Sequence, residues 1–190
     1  RVHMNKEVKD LHALDADEII VATGASARRL KMPGAENAVD AIEYLRKTKP
    51  VGDKVCVIGG GLTGCEIAYN LVLEGKHPFI VETLDDLIRM KGVSAANSTC
   101  LRDLLRFHKV PVYLESSVKA IGKDKVTIGT KDGDVELAYD SIITSIGYNA
   151  GTPLAEESNK HIHLLGDVNQ VANLKKAIWD ANDLVLKLSK

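Results

Sequence analysis

The sequence predicts an α/β fold in which one strand–helix–strand unit carrying a β-meander is inserted into a second, divided unit. In VCVIGGGLTGCE, residues 55–66, an apolar strand-like run, a glycine-rich turn and the start of a helical pattern follow one another. The phrases DEIIVATGAS (17–26) and DSIITSIGYN (140–149) each pass from an acidic residue through an apolar run to a glycine, and they bracket that unit. Between them, branched segments separated by GKD and KDGD have the pattern of an antiparallel meander with tight turns.

The elements follow in chain order. The first bracketing phrase supplies a strand and a turn at Thr23-Gly24. KMPGAENAVDAIEYLRKTKPVGD is the expected connection into the centre, with a short helix over about 41–47. The run VCVI is apolar on both faces, as required of a parallel strand covered by helices on both sides. Leu62, Cys65, Ala68, Leu71 and Val72 recur at spacings of three and four, which predicts a helix over 62–74 with Gly75 as its C′ residue. PFIVE, 78–82, begins with a proline, tolerated at a strand's first position, and ends on Glu82. Asn97 or Ser98 is the expected N-cap of a helix burying Leu101, Leu104 and Leu105, and VPVYLE (110–115) is the next strand. SVKAIG, KVTIGT and DVELAY form the meander, and IITSIG (142–147) is the returning strand. HIHLLGDVNQ holds a strand ending at Gly166-Asp167, followed by a helix over about 173–188. The simplest organisation inserts a block, 52–145, between segments 1–51 and 146–190.

Composition narrows the function classes. With 190 residues and 45% hydrophobic content, the chain can bury a core. Its 25 Lys plus Arg against 26 Asp plus Glu give no electrostatic case for nucleic acid or an anionic membrane. No apolar run reaches the roughly 18 residues of a membrane span, and RVHMNKEVKD lacks a signal-peptide layout, so the chain reads as cytoplasmic. Cys56, Cys65 and Cys100 form no CxxC pair, which argues against a disulfide framework, a zinc site and a local redox disulfide. His161 and His163 share a strand face, but no third ligand is legible near them, so they read as polar surface. Trp179 reads as packing.

The glycines carry the chemistry. Gly59, Gly61 and Gly64 form a GxGxxG between a buried strand and a helix. In the dinucleotide-binding fingerprint the first glycine allows the tight turn, the second lets pyrophosphate approach the backbone, and the third lets helix and strand pack closely. Gly60, Leu62 and Thr63 complete this Rossmann-like cofactor turn, where a helix N-terminus offers unpaired N–H groups and partial positive charge. Glu82 ends the next strand about 20 residues on, where a carboxylate accepts from the adenosine ribose hydroxyls. A 2′-phosphate would be repelled there, and the following TLDDL offers no Arg or Lys, so NADH is favoured over NADPH.

GGGLTGCEIA, flanked by IIVATGA upstream and by ITSIGY and HLLGD downstream, resembles the pyridine nucleotide-disulphide oxidoreductase superfamily. Within it, nearly the whole chain resembles the C-terminal portion of the NADH:flavin oxidoreductases that include 2-enoate reductase, 2,4-dienoyl-CoA reductase and trimethylamine dehydrogenase. The resemblance implies an NAD(H) domain inserted in a partial FAD domain, with Thr23-Gly24 and Ile146-Gly147 at the two crossings. It implies that Gly166-Asp167 is a flavin contact, the aspartate accepting from a ribityl hydroxyl, and that Glu66 lies toward the nicotinamide. A carboxylate that merely favours a helix N-terminus is the other reading of Glu66. The implied activity is hydride transfer from NADH to flavin, which requires no side-chain acid or base, so no catalytic residue is assigned. The family's earlier GxGxxG for FAD, its FMN-binding barrel and its iron–sulfur site have no counterpart in this sequence. The expectation is therefore a fragment of a longer enzyme, whose N-terminal domains are its partners and which alone keeps no stoichiometric FAD. FMN and an iron–sulfur cluster would lie outside this chain. A disulphide-reductase relative and a module that holds ADP or NAD without turnover are the other readings.

Overall fold

A computed structural model describes residues 1–89, 92–151, 154 and 161–189. In chain order the elements are β1 (Ile19–Val21), β2 (Ala25–Ala27), β3 (Val39–Asp40), α1 (Ala41–Leu45), β4 (Lys54–Ile58), α2 (Leu62–Leu73), β5 (His77–Val81) and α3 (Ala95–Phe107). They continue with β6 (Val112–Tyr113), β7 (Ser117–Ile121), β8 (Lys125–Thr130), β9 (Gly133–Ala138), β10 (Ser141–Thr144), β11 (Tyr148–Ala150), β12 (Ile162–Leu164) and α4 (Leu174–Leu188). The chain divides into two compact units, one of Arg1–Ser26 with Tyr148–Lys190 and one of Ala27–Gly147. The segment expected as a connection, from Ala27 onward, packs within the central unit because β3 pairs with β10 through Val39 and Asp40.

The central unit is a parallel sheet in the order β3-β10-β4-β5-β6. Side chains alternate across β4, so Val55 and Val57 enter one core with Ile67, Ala68 and Leu71 of α2, while Cys56 and Ile58 enter another with Val126 and Ile128 of β8. The meander β7-β8-β9 thus covers the face for which a second helix was expected. Both coverings satisfy an apolar run equally, which is why the sequence does not distinguish them. Each fully buried Val, Ile or Leu here contributes about 1.5–3 kcal/mol relative to exposure.

Helix ends follow local chemistry. α2 closes in a Schellman motif: Gly75, at φ +77°, donates to the Val72 carbonyl, and Lys76 donates to that of Leu71, each at 2.9 Å. α1 opens with a capping box, Glu43 N–H to Asp40 Oδ1 at 2.9 Å and Asp40 N–H to Glu43 Oε2 at 3.1 Å. Asp40→Ala is expected to cost about 1 kcal/mol, read as a lower midpoint in thermal unfolding. α3 begins at Ala95, earlier than the expected Asn97 or Ser98 cap. Ser98 is already inside the helix, its N–H donating to the Ser94 carbonyl at 3.0 Å and its hydroxyl to that of Ala95 at 3.1 Å. Leu101 and Leu105 are buried as expected, whereas Leu104 is half-buried.

β5 begins one residue before Pro78. His77 N–H bonds across to Asp53 and Ile80 N–H to Pro111 on the other side, so the N–H that proline lacks would point to the β6 side, ahead of that strand's start. In the other unit β1 and β12 pair in parallel over a small core of Leu11, Val21, Ile162 and Val168. β2 pairs with β11, and Asn173 caps α4 by accepting from Lys176 N–H at 3.0 Å. No described helix is long and apolar enough to cross a membrane.

Candidate functional site

The turn after β4 sorts its glycines by what surrounds them. Gly59 has φ +104°, and a Cβ there would collide with the Ser145 carbonyl at the end of β10. A Cβ on buried Gly64 would strike the Gly59 carbonyl, so α2 packs against its own strand only through glycine. Gly60 is covered by Leu87, whose Cδ2 lies 2.5 Å from where a Cβ would be. Gly61 differs from all three: nothing lies within 4 Å of its Cβ position, and its φ of −67° suits any residue.

Gly61 is also the N-cap of α2, with no side-chain cap and no acidic residue in the first turn. The first intrahelical bond runs from Cys65 N–H to the Gly61 carbonyl at 3.0 Å. The N–H groups of Leu62, Thr63 and Gly64 therefore precede the helix's own ladder and face a dipole-positive end. That arrangement is suited to an anion. Glu66 lies beyond the first turn of α2 and is exposed, which places it outside the reach of the helix-end effect weighed for it from the sequence.

Glu82 is brought to this turn by the β4–β5 pairing and is 8% exposed. Its Oε2 accepts from Gly60 N–H at 2.5 Å, and its Oε1 from Leu84 N–H at 2.9 Å and the Thr83 hydroxyl at 3.1 Å. The carboxylate thus organises the glycine loop directly. The Gly60 carbonyl accepts from Ile88 N–H at 2.8 Å and from the Cys65 thiol at 3.3 Å. Ile88, Leu87 and the loop that carries them had no marker in the sequence, because their role rests on contacts across the fold.

Thr23-Gly24 and Gly166-Asp167 stand at the carboxyl ends of β1 and β12, which run side by side with Val21 opposite Leu164. Gly24, Gly147 and Gly166 have φ of +82°, +89° and +72°, so each occupies a backbone conformation that glycine favours. Thr23 is exposed; Asp167 is half-buried and accepts from Ala172 N–H at 3.1 Å. The histidines of the same unit have an unforeseen neighbour. Glu18 bonds His163 at 2.7 Å and lies 3.6 Å from His161, and the His163 hydrogen bond holds its carboxyl below the usual range. Among the described residues no group of three or more His, Cys, Asp or Glu side chains has a metal-holding arrangement.

Burial pushes the thiols of Cys56 and Cys65 up to about 12, while Cys100 is exposed. A thiol reagent at pH 8 should label Cys100 in the native chain and the other two only after denaturation. Rapid native labelling of Cys65 would contradict the packing around the glycine turn.

Residues 1–178 match the pyridine nucleotide-disulphide oxidoreductase family. A cinnamate reductase of Clostridium sporogenes is 35% identical over 180 residues, covering 93% of this chain and 27% of the relative. A coenzyme A disulfide reductase of Staphylococcus aureus is 30% identical over 166 residues, covering 82% of this chain and 36% of the relative. Of solved structures, a 2-naphthoyl-CoA reductase in complex with 2-naphthoyl-CoA superposes with a TM-score of 0.77 at 26% identity, over 86% of this chain and 26% of that one. Histamine dehydrogenase from Rhizobium sp. 4-9 shares the fold, with a TM-score of 0.77 at 16% identity over 92% of this chain and 29% of its own. The chain therefore spans 27% of one curated relative's length and 36% of the other's.

Proposed function

The chain belongs to the pyridine nucleotide-disulphide oxidoreductase family, and from that premise we propose that its central unit binds NADH as the nucleotide-binding part of a larger enoate-reductase-like flavoprotein. The observation that carries this reading is Gly61. The protein's own packing requires Gly59 and Gly64, but nothing within 4 Å requires Gly61 to lack a side chain. A pyrophosphate drawn to the N-terminus of α2 does require it.

When bound, the nicotinamide supplies a hydride and the flavin of the larger protein accepts it. The residues of this chain hold and orient. Gly59, Gly60, Gly61, Leu62, Thr63 and Gly64 form the pyrophosphate cradle, and Glu66 faces the nicotinamide end. Glu82 reads the adenosine ribose: its Oε2 accepts one internal hydrogen bond and has capacity for a second, from a hydroxyl. Gly166 and Asp167 serve the flavin, Thr23, Gly24 and Gly147 are further cofactor-binding positions at the crossings of the chain, and FMN and an iron–sulfur cluster would lie outside this chain. The buried thiols of Cys56 and Cys65 give no support to a disulfide-reducing pair within this chain.

NADH should bind more tightly than NADPH by about 1–3 kcal/mol. Beyond Glu82, Arg89 is paired with Asp85 at 3.0 Å and Arg102 with Asp86 at 3.0 Å, so these two guanidiniums already have carboxylate partners where a 2′-phosphate would need a cation. Fluorescence titration with both nucleotides tests this. Equal or reversed affinities would overturn the assignment of Glu82.

A further inference from the structure

We propose that Arg102 is a positioning residue for the pyrophosphate cradle, acting on the Gly61 N–H through two hydrogen-bonded peptide groups. The inference rests on the dinucleotide reading and adds to it a residue far from the glycines in sequence. Arg102 projects from α3, and Asp86 fixes its guanidinium in a fork: Nε donates to Oδ1 at 3.3 Å and Nη2 lies 3.0 Å from Oδ2. Asp86 Oδ1 is itself anchored by Leu87 N–H at 2.8 Å. So held, Nη2 donates a hydrogen bond to the Leu87 carbonyl.

That carbonyl and the Ile88 N–H are opposite ends of one planar trans peptide group. The Ile88 N–H donates to the Gly60 carbonyl at 2.8 Å. By the same planarity, the Gly60 carbonyl is tied to the Gly61 N–H, which points the other way, away from Ile88. The sequence of donors therefore runs from the guanidinium, through the Leu87–Ile88 peptide, through the Gly60–Gly61 peptide, to an N–H at the cradle. Peptide groups in such a chain polarise one another in the same sense, and a cation at its head strengthens the last donor.

The relay is held in place along its length. Leu87 and Ile88 are 6% and 4% exposed, and Ile88 adopts φ +54°, a conformation that β-branched residues rarely take without being constrained at both ends. Glu82 fixes the Gly60 N–H, and the Cys65 thiol gives the Gly60 carbonyl a second donor. The Arg102 side chain is 24% exposed, so solvent screens its charge less than that of a surface arginine.

A purely structural salt bridge and this relay differ in what they do to ligands. If Arg102 only secured the loop, its loss would lower stability and weaken every adenine ligand alike. If it sharpens the Gly61 donor, the loss falls on ligands that carry the pyrophosphate. The test titrates the 190-residue chain with NADH, ADP and adenosine, comparing wild type with Arg102→Met and Arg102→Lys, and follows the Gly61 amide by NMR. Arg102→Met should weaken NADH and ADP about tenfold, change adenosine less than about twofold, and move the Gly61 amide proton upfield. Arg102→Lys should recover part of the loss, because an ammonium reaches the Leu87 carbonyl but cannot make the fork. Equal weakening of all ligands, or none, in folded Arg102→Met would overturn the relay. Should that variant not fold, Asp86→Asn, at a side chain 49% exposed, carries the same comparison with an expected loss of about threefold confined to NADH and ADP. Wild-type protein that binds neither NADH nor ADP would overturn the dinucleotide reading itself, whereas tight binding by both wild type and Arg102→Met would overturn only the relay.

Discussion

Gly61→Val should lose NADH binding by about 100-fold or more while remaining folded. The position is an extended N-cap with φ −67° and ψ −178°, open to any L-residue, and no atom lies within 4 Å of the new Cβ. Valine is a poorer N-cap than glycine, so a stability cost of about 1 kcal/mol and a midpoint lower by roughly 2–8 °C are expected. Neither change is large enough to empty the native state. Loss of binding would then come from the side chain standing where the pyrophosphate must approach. Calorimetric titration beside a thermal melt separates the two effects, and unchanged affinity in the folded variant would make the glycine turn purely structural.

Gly64→Val should behave in the opposite way. Its Cβ would enter the Gly59 carbonyl, and α2 can relieve the overlap only by moving off β4, where Cys65, Ile67, Ala68 and Leu71 are each 0% exposed. Overpacking of this kind costs about 3 kcal/mol, which lowers the unfolding midpoint by roughly 10 °C. These two outcomes would separate two glycines three residues apart in one motif into a ligand position and a packing position. A melt of Gly64→Val that overlays the wild type would contradict the close strand–helix contact.

Much of this was legible because local chemistry and tertiary packing agree. Gly59, Gly61 and Gly64 carry the spacing of a strand–turn–helix cradle, and Glu82 ends the strand that pairs beside it. Gly75 marks the end of α2 because only its left-handed φ closes the Schellman bonds. Other features were set by contacts that no pattern records. The apolar run of β4 demands two covered faces but does not say that a meander covers one of them. Ser94, Asn97 and Ser98 are all acceptable caps, and the choice fell to Ser94 without any side-chain bond to mark it. Glu18 stands 143 positions before His161 and 145 before His163, so their contact exists only through the β1–β12 pairing. Ile88 meets the glycine turn, and Arg102 meets Leu87, in the same non-local way.

The central claim, that the N-terminus of α2 receives a pyrophosphate over Gly61, is tested most directly by a crystal structure of the chain grown with NADH. The account predicts pyrophosphate oxygens about 2.7–3.2 Å from N–H groups of Gly61, Leu62 or Thr63, with a ribose hydroxyl donating to Glu82. NADH bound elsewhere on the chain, with Gly61 still facing open solvent, would contradict it.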